Sequence, residues 1–408
     1  MPQKNKTLHL FTAKFPFGNK SETFLDTEVT YLSKAFDKVI IYPSSKKSTQ
    51  RDLPSNFTVN DLFCSINLTK KQKLKLIFKT LATALSLLLS HSKNVGVKAT
   101  FKHRKTLLEI ISQQLFKLES FNKNVGFNQE DLYYDYWFEN STLMLSMAHK
   151  KGLIKTAISR GHGFDIYDER WTGIGVPFRK FKLENLKKVF IISDFGKNSM
   201  VEKSPKELTH KIQLSRLGVQ KFGRSETLRK SESSVIVSCS SILDFKQVEK
   251  IPSLLKGLST PVKWIHFGDG PNKHVVESEI ESLPSTITVE LKGHVDNSEL
   301  VHFYQTNQVD LFITLSTSEG LPVSMMEAQS FGIPIVAHPV GGIPEIVKDE
   351  ITGFLIEQDW TLEKKTEFLE KALHYNFNTS TIEGFFLQNF DAEKNYTDFT
   401  EQLCSLEN

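Results

Sequence analysis

Two carboxylates, Glu319 and Glu327, stand eight residues apart in the segment Leu315 to Val347, LSTSEGLPVSMMEAQSFGIPIVAHPVGGIPEIV. Between them Gly320, Leu321 and Pro322 read as a turn into a helix. A proline costs little in a first helical turn, where its missing N–H would have no intrahelical partner. The N–H groups at such a helix start suit a diphosphate, and the backbone from Gly320 to Val323 can hold sugar hydroxyls. Glu319, just before the helix, can reach the group attached to that diphosphate. Glu327, two turns in, can accept hydrogen bonds from a diol such as a ribose. One element would then hold a nucleotide sugar by three parts at once. A capped surface helix with two solvated glutamates is the plain alternative. The continuation of EGLP-x4-EA into GIPIVA and GGIPEIV favours the site, because the motif has several parts in a fixed context.

The elements that must position these groups are legible. Leu311 to Leu315 is a buried-type strand, the helix runs to Gly332, and Ile333 to Ala337 is a second strand closed by a Gly341-Gly342 turn. This is a β-loop-α-β unit with its loop at a strand's carboxyl end, where open α/β sheets bind ligands. Upstream, the strand Val262 to Phe267 ends in Gly268-Asp269-Gly270-Pro271, whose glycines would let backbone approach a ligand closely. Ile287 to Leu291 leads to Gly293-His294-Val295 in the same manner. In the first half of the chain, Arg160-Gly161-His162-Gly163-Phe164-Asp165 follows the strand Thr156 to Ser159.

The stretch 315–347 resembles the donor-binding signature of glycosyltransferase family 4, whose members are retaining enzymes of the GT-B fold. The resemblance is strongest over about 230–350 and weakest over 65–145. It implies two Rossmann-like α/β domains facing each other across a cleft, with a last helix crossing back to the first domain. It also implies a sugar taken from a nucleotide diphosphate without a metal ion or other cofactor. By resemblance, Lys246 is the cation at the diphosphate, while Ser241 stands where arginine is usual. Gly270 lies near the nucleotide and the Val295 backbone near the base. His162 faces the transferred sugar. Asp165 orients that loop or binds a hydroxyl, although a helix-capping role suits it equally. Gly18 belongs to a glycine-bearing loop beside the donor phosphates, with Asn19 or Lys20 where a second glycine is usual.

Composition agrees with a two-domain enzyme. A chain of 408 residues can bury two cores. Strands and helices alternate in both halves, the pattern of parallel sheets. The boundaries read as 1–220, 221–388 and a final helix within 389–408, with 65–150 mostly helical. The three cysteines show no metal or disulfide spacing, and MPQKNKTLHLF enters a strand directly, so a cytoplasmic protein is expected. No Asp-x-Asp triplet, P-loop or Gly-x-Ser-x-Gly elbow occurs, which argues against metal-dependent GT-A transferases, P-loop enzymes and α/β-hydrolases.

Charge divides the chain. Residues 1–220 carry 36 Lys+Arg against 19 Asp+Glu, or +17, and residues 221–408 carry 15 against 28, or −13. The basic half suits an anionic acceptor, such as a lipid diphosphate, or an anionic membrane surface. Nucleic acid is disfavoured because no recognition motif is present. Lys70 to Lys79 holds five lysines among Leu74, Leu76, Ile77 and Phe78. It reads either as a helix in the lipid interface or as one packed on the domain with its lysines in water.

The expected function is a retaining, metal-independent hexosyltransferase acting on a glycan or lipid-linked acceptor in bacterial capsule, exopolysaccharide or lipopolysaccharide synthesis. A nucleotide-sugar epimerase and a non-catalytic carbohydrate-binding module on the same scaffold are the alternatives.

Overall fold

The computed structural model describes residues 3–18, 22–46, 48–64, 66, 68–171, 173–225, 228–229 and 231–406. The chain divides into two units, Met1–Arg216 with Tyr396–Asn408, and Leu217–Asn395. The unit thus changes at 216/217 and again at 395/396, against sequence boundaries at 220/221 and 388/389.

The first unit is built on seven parallel strands: β1 (Gln3–Thr12), β2 (Phe36–Pro43), β3 (Phe57–Val59), β4 (Leu132–Asp135), β5 (Thr156–Gly161), β6 (Lys188–Ile191) and β7 (Ile212–Leu214). Their order is β3-β2-β1-β4-β5-β6-β7. Strand β4 pairs with β1, Leu8 opposite Leu132, and with β5, Leu132 opposite Thr156. All four β4 residues are buried. Strand β4 interrupts the helices that, as expected from the sequence, make 65–150 mostly helical. Its four residues, LYYD, are too few to show a period, and helix-forming sequence surrounds them.

The final helix, Ala392–Ser405, supplies Phe399 and Leu403 to the first unit's core, among Leu8, Leu10, Tyr134 and Phe190. Arg160 holds it from beneath. Fully buried, Arg160 donates to Glu28 Oε2 at 2.6 Å and to Ser215 Oγ at 3.0 Å, and its guanidinium lies 4.0 Å from the Phe399 ring centre. Burial raises the Glu28 pKa, and the Arg160 charge opposes that rise.

The second unit has six parallel strands: β8 (Ser234–Cys239), β9 (Val262–Phe267), β10 (Ile287–Gly293), β11 (Leu311–Thr314), β12 (Ile335–Ala337) and β13 (Gly353–Leu355). Their order is β10-β9-β8-β11-β12-β13. Each sheet therefore reverses its direction of growth once, at β1/β4 in the first unit and at β8/β11 in the second. In doubly wound sheets the crevice at such a switch point binds ligands. Among the described residues, no single helix is long and apolar enough to cross a membrane, and none of the three cysteines is in a disulfide.

Candidate functional site

Lys246 and Glu319 flank the β8/β11 switch point. Lys246 ends a short 3-10 turn after β8, and Glu319 lies in the loop after β11. Backbone bonds hold the two loops together: Thr317 N–H donates to Phe245 O at 2.8 Å. The side chains meet, with Lys246 Nζ 2.5 Å from Glu319 Oε1. Each has a separate expected role, and the structure brings them into one ion pair. Both are largely covered, their side chains 18% and 11% exposed. Ser241 is exposed and adds no cation there.

The helix Val323–Ser330 starts beside this pair. Pro322 is its N-cap residue, one place earlier than the first helical position, and no side chain caps it. Leu321 is buried; Pro322 and Val323 are half-buried. The helix start therefore has no N-cap side-chain acceptor, and its first turn has no acidic residue, among the described residues. Those are the conditions for holding a phosphate.

The loop Glu319–Gly320 is shaped from below by Gly341-Gly342. A Cβ on Gly341 would lie 1.9 Å from Glu319 O, and one on Gly342 would lie 2.2 Å from Gly320 O. Gly342 N–H donates to Gly320 O at 2.9 Å. Only glycine permits that approach.

Glu327 is half-buried and accepts from Asn297 Nδ2 at 2.6 Å. Burial pushes its pKa up to about 7, against the pull of the Asn297 hydrogen bond. Asn297 opens the helix after β10, two residues beyond the half-buried Val295. Glu327 and the β10 loop are thus neighbours, as a nucleotide held at ribose and base would require. Asn297 itself escaped the sequence reading, since nothing local marks it as a partner of a residue thirty positions on.

Gly270 needs a different account. A Cβ there would sit 2.3 Å from Ile242 O, and one on Gly268 would sit 1.8 Å from Ser240 O. The close approach is to the chain's own β8 loop. These glycines lock two strand-end loops together, which explains them without a ligand.

In the first unit, loops after β1, β4 and β5 converge on the β1/β4 switch point. His162, 7% exposed, has Trp137 at 4.4 Å, Tyr136 at 4.6 Å and Phe24 at 5.8 Å between ring centres. Its two ring nitrogens make no hydrogen bond with the described residues. Asp165 is fully buried and accepts the backbone N–H groups of His162, Gly163 and Phe138 at 2.8–2.9 Å. Burial would raise its pKa, but His162, whose Nδ1 lies 3.7 Å from Asp165 Oδ2, and those N–H groups hold it below the usual value. These bonds tie Asp165 to the backbone of the His162 loop, the arrangement that a loop-orienting role requires.

Gly18 has φ of +77° and accepts from Arg51 Nε at 2.6 Å. Asn19 and Lys20 lie outside the described residues. The β1 loop is organised by Glu22, which the sequence reading passed over. Its carboxylate accepts from the N–H of Ala13, Lys14 and Phe15 and from Trp137 Nε1 at 2.6–2.9 Å. Glu139 was also missed. It is half-buried on the β4 loop, and burial with the Asp165 charge pushes its pKa up to about 7. Among the described residues, no three His, Cys, Asp or Glu side chains converge as metal ligands.

Residues 219–380 match the family model for glycosyl transferases group 1, so the second unit carries that domain. The Vi polysaccharide biosynthesis protein VipC/TviE of Salmonella typhi is 27% identical over 108 residues, 25% of this chain and 19% of that protein. The chain spans less than half the length of the curated relatives it matches first, from 21% to 45%. The whole chain has the fold of solved glycosyltransferases. The lipopolysaccharide outer core galactosyltransferase WaaB aligns over 98% of this chain and 99% of its own, with TM-score 0.68 at 14% identity. Anabaena HepE, crystallised with UDP-glucose, aligns over 98% and 99%, with TM-score 0.61 at 14% identity.

Proposed function

We propose that this protein is a retaining, metal-independent glycosyltransferase that moves a sugar from a nucleotide diphosphate to a glycan or lipid-linked acceptor. The carrying observation is the Lys246–Glu319 pair beside an uncapped helix start, on the same element as Glu327. All three residues lie within the matched 219–380 segment. The likeness to a Vi polysaccharide biosynthesis protein supports a place in polysaccharide synthesis.

The chemistry follows from charge. Glycosyl transfer passes through a transition state with positive charge on the sugar ring. The leaving diphosphate gains negative charge in step. Lys246 and the helix that starts after Pro322 stabilise that charge, the preorganised arrangement that lowers a barrier most. Glu319 and the Gly320–Val323 backbone hold sugar hydroxyls, and Glu327 holds the ribose diol. His162, in the first unit, is the candidate for a contact with the transferred sugar. The acceptor attacks on the face from which the diphosphate leaves, so no carboxylate serves as a nucleophile.

A thermal-shift screen against UDP, GDP, ADP and their sugars tests the binding half, because a ligand of the folded state raises stability with concentration. Hydrolysis of the stabilising donor, scored for released nucleotide and sugar, tests the reaction. Release supports the transferase. An epimerised donor assigns an isomerase instead, and binding without turnover assigns a carbohydrate-binding module.

A further inference from the structure

The first unit carries an apolar surface set in positive charge. Residues 62–108 contain nine lysines and Arg104 but no Asp or Glu, a net charge of +10. Three successive helices, Lys70–Lys79, Leu81–Val95 and Val97–Lys102, fill most of this stretch. Each exposes large hydrophobic side chains at helical spacing. Leu74 and Phe78 are 56% and 69% exposed on the first, and Val97 and Phe101 are 75% and 66% exposed on the third. On the second helix, Leu81, Leu85 and Leu89 recur every four residues on the outer face. The opposite face of that helix is satisfied: Ala84, Leu87 and His91 are buried in the unit. Residues 74–101 hold seven of the thirteen exposed large hydrophobics among the described residues. Exposed apolar surface concentrated in this way marks an interaction site.

We propose that these three helices dock the protein on an anionic lipid bilayer, with the leucine and phenylalanine side chains entering the headgroup–acyl boundary. Charge complementarity selects this occupant. Lys70, Lys71, Lys75, Lys93, Lys98 and Lys102 are exposed around the apolar side chains. Basic helices with apolar faces bind lipid interfaces by just this pairing of terms. A second copy of the chain would bring two +10 stretches together. A nucleic acid would use the lysines and leave the leucines in water. The first two helices meet at 88°, so they bend as a pair along a surface instead of running straight through one. The proposal goes beyond the transferase reading and does not depend on it, because the nucleotide groups lie in the second unit.

Co-sedimentation with phosphatidylcholine vesicles, with and without phosphatidylglycerol, tests it. The full chain pellets with anionic vesicles and stays behind with neutral ones. The double variant Lys98→Gln, Lys102→Gln lowers the partition coefficient about 25-fold, about fivefold per cation. The double variant Leu85→Ser, Leu89→Ser lowers it at least about tenfold, with unchanged circular dichroism and unchanged thermal shift by nucleotide. A tryptophan at Phe78 is quenched by brominated lipid. The proposal is overturned if the protein stays in the supernatant at low salt. It is equally overturned if the leucine variant binds as well as wild type, which would leave a purely electrostatic site for a polyanion. A wild-type dimer that the leucine variant converts to monomer would assign the face to a second copy. Failure in any of these ways leaves nucleotide binding intact and so is distinct from failure of the transferase reading.

Discussion

Lys246 Nζ lies 2.5 Å from Glu319 Oε1, so the cation proposed for the diphosphate and the carboxylate proposed for the sugar neutralise each other before any donor arrives. A bound diphosphate must take Lys246 over from Glu319, and the released Glu319 is then available to a sugar hydroxyl. The two variants should therefore differ. Lys246→Ala removes a charged hydrogen-bond donor and should weaken nucleoside diphosphate binding by about 1.5–3 kcal/mol. Glu319→Ala should bind the same diphosphate as well as wild type or better, while its turnover number falls. Calorimetry on both variants, with donor hydrolysis rates, checks the split. Equal losses of diphosphate affinity would dissolve it.

Glu327 gives the binding reaction a pH dependence. Its pKa in the free protein is raised to about 7 from an ordinary 4.5. The protonated form is thus favoured by folding, a stabilisation present below the ordinary value and lost as pH rises through about 7. Ribose hydroxyls favour the ionised form, so the bound pKa is lower than the free one. Nucleotide affinity should then climb as pH rises toward about 7 and level off above it. Below that pH, binding should release a proton, visible as a heat that depends on the buffer's ionisation enthalpy. Glu327→Gln should remove the slope, and Glu327→Ala should cost about 1.5–3 kcal/mol of affinity at pH above 7.

His162 and Asp165 should separate by readout. His162→Ala should lower turnover and leave nucleoside diphosphate affinity near wild type, since it acts at the sugar. Asp165→Ala should lower turnover too, but with a loss of stability of about 1–3 kcal/mol for each N–H left unpaired. Urea unfolding beside steady-state kinetics distinguishes them. A His162 variant with normal turnover ends its assignment.

The buried Arg160–Glu28 pair makes a stability prediction. Arg160→Met strands Glu28 without its partner and should destabilise the first unit by about 3–5 kcal/mol. The double variant Arg160→Met, Glu28→Met should recover much of that loss, because neither charge is then left alone. Chemical denaturation of the three proteins measures it, and an additive double variant would refute the pairing account.

The sequence showed where the site groups sit along the chain and less about what they touch. Glu319, Glu327 and Lys246 were legible because the strand, the turn and the helix that carry them are local patterns. Their ion pair was not, since it joins loops seventy-three residues apart. The same limit hid Glu22, which closes a turn through backbone N–H groups, and Asn297. The long strands of both sheets could be read from continuous apolar runs. Strands β3, β7 and β13, of three residues each, offer no period to read. Gly268 and Gly270 were legible as special positions, but only the structure shows that their close neighbours are Ser240 and Ile242.

The last residues of the chain complete the core of its first strands, because Phe399 and Leu403 pack with Leu8 and Leu10. This sets an order during synthesis. The second unit is one continuous segment and can fold as soon as it emerges. The first unit, begun earlier, must wait with an open apolar face until Ala392–Ser405 has been made. The half begun first is therefore completed after the other, and a chain cut within Ala392–Ser405 has a whole second unit beside an unfinished first.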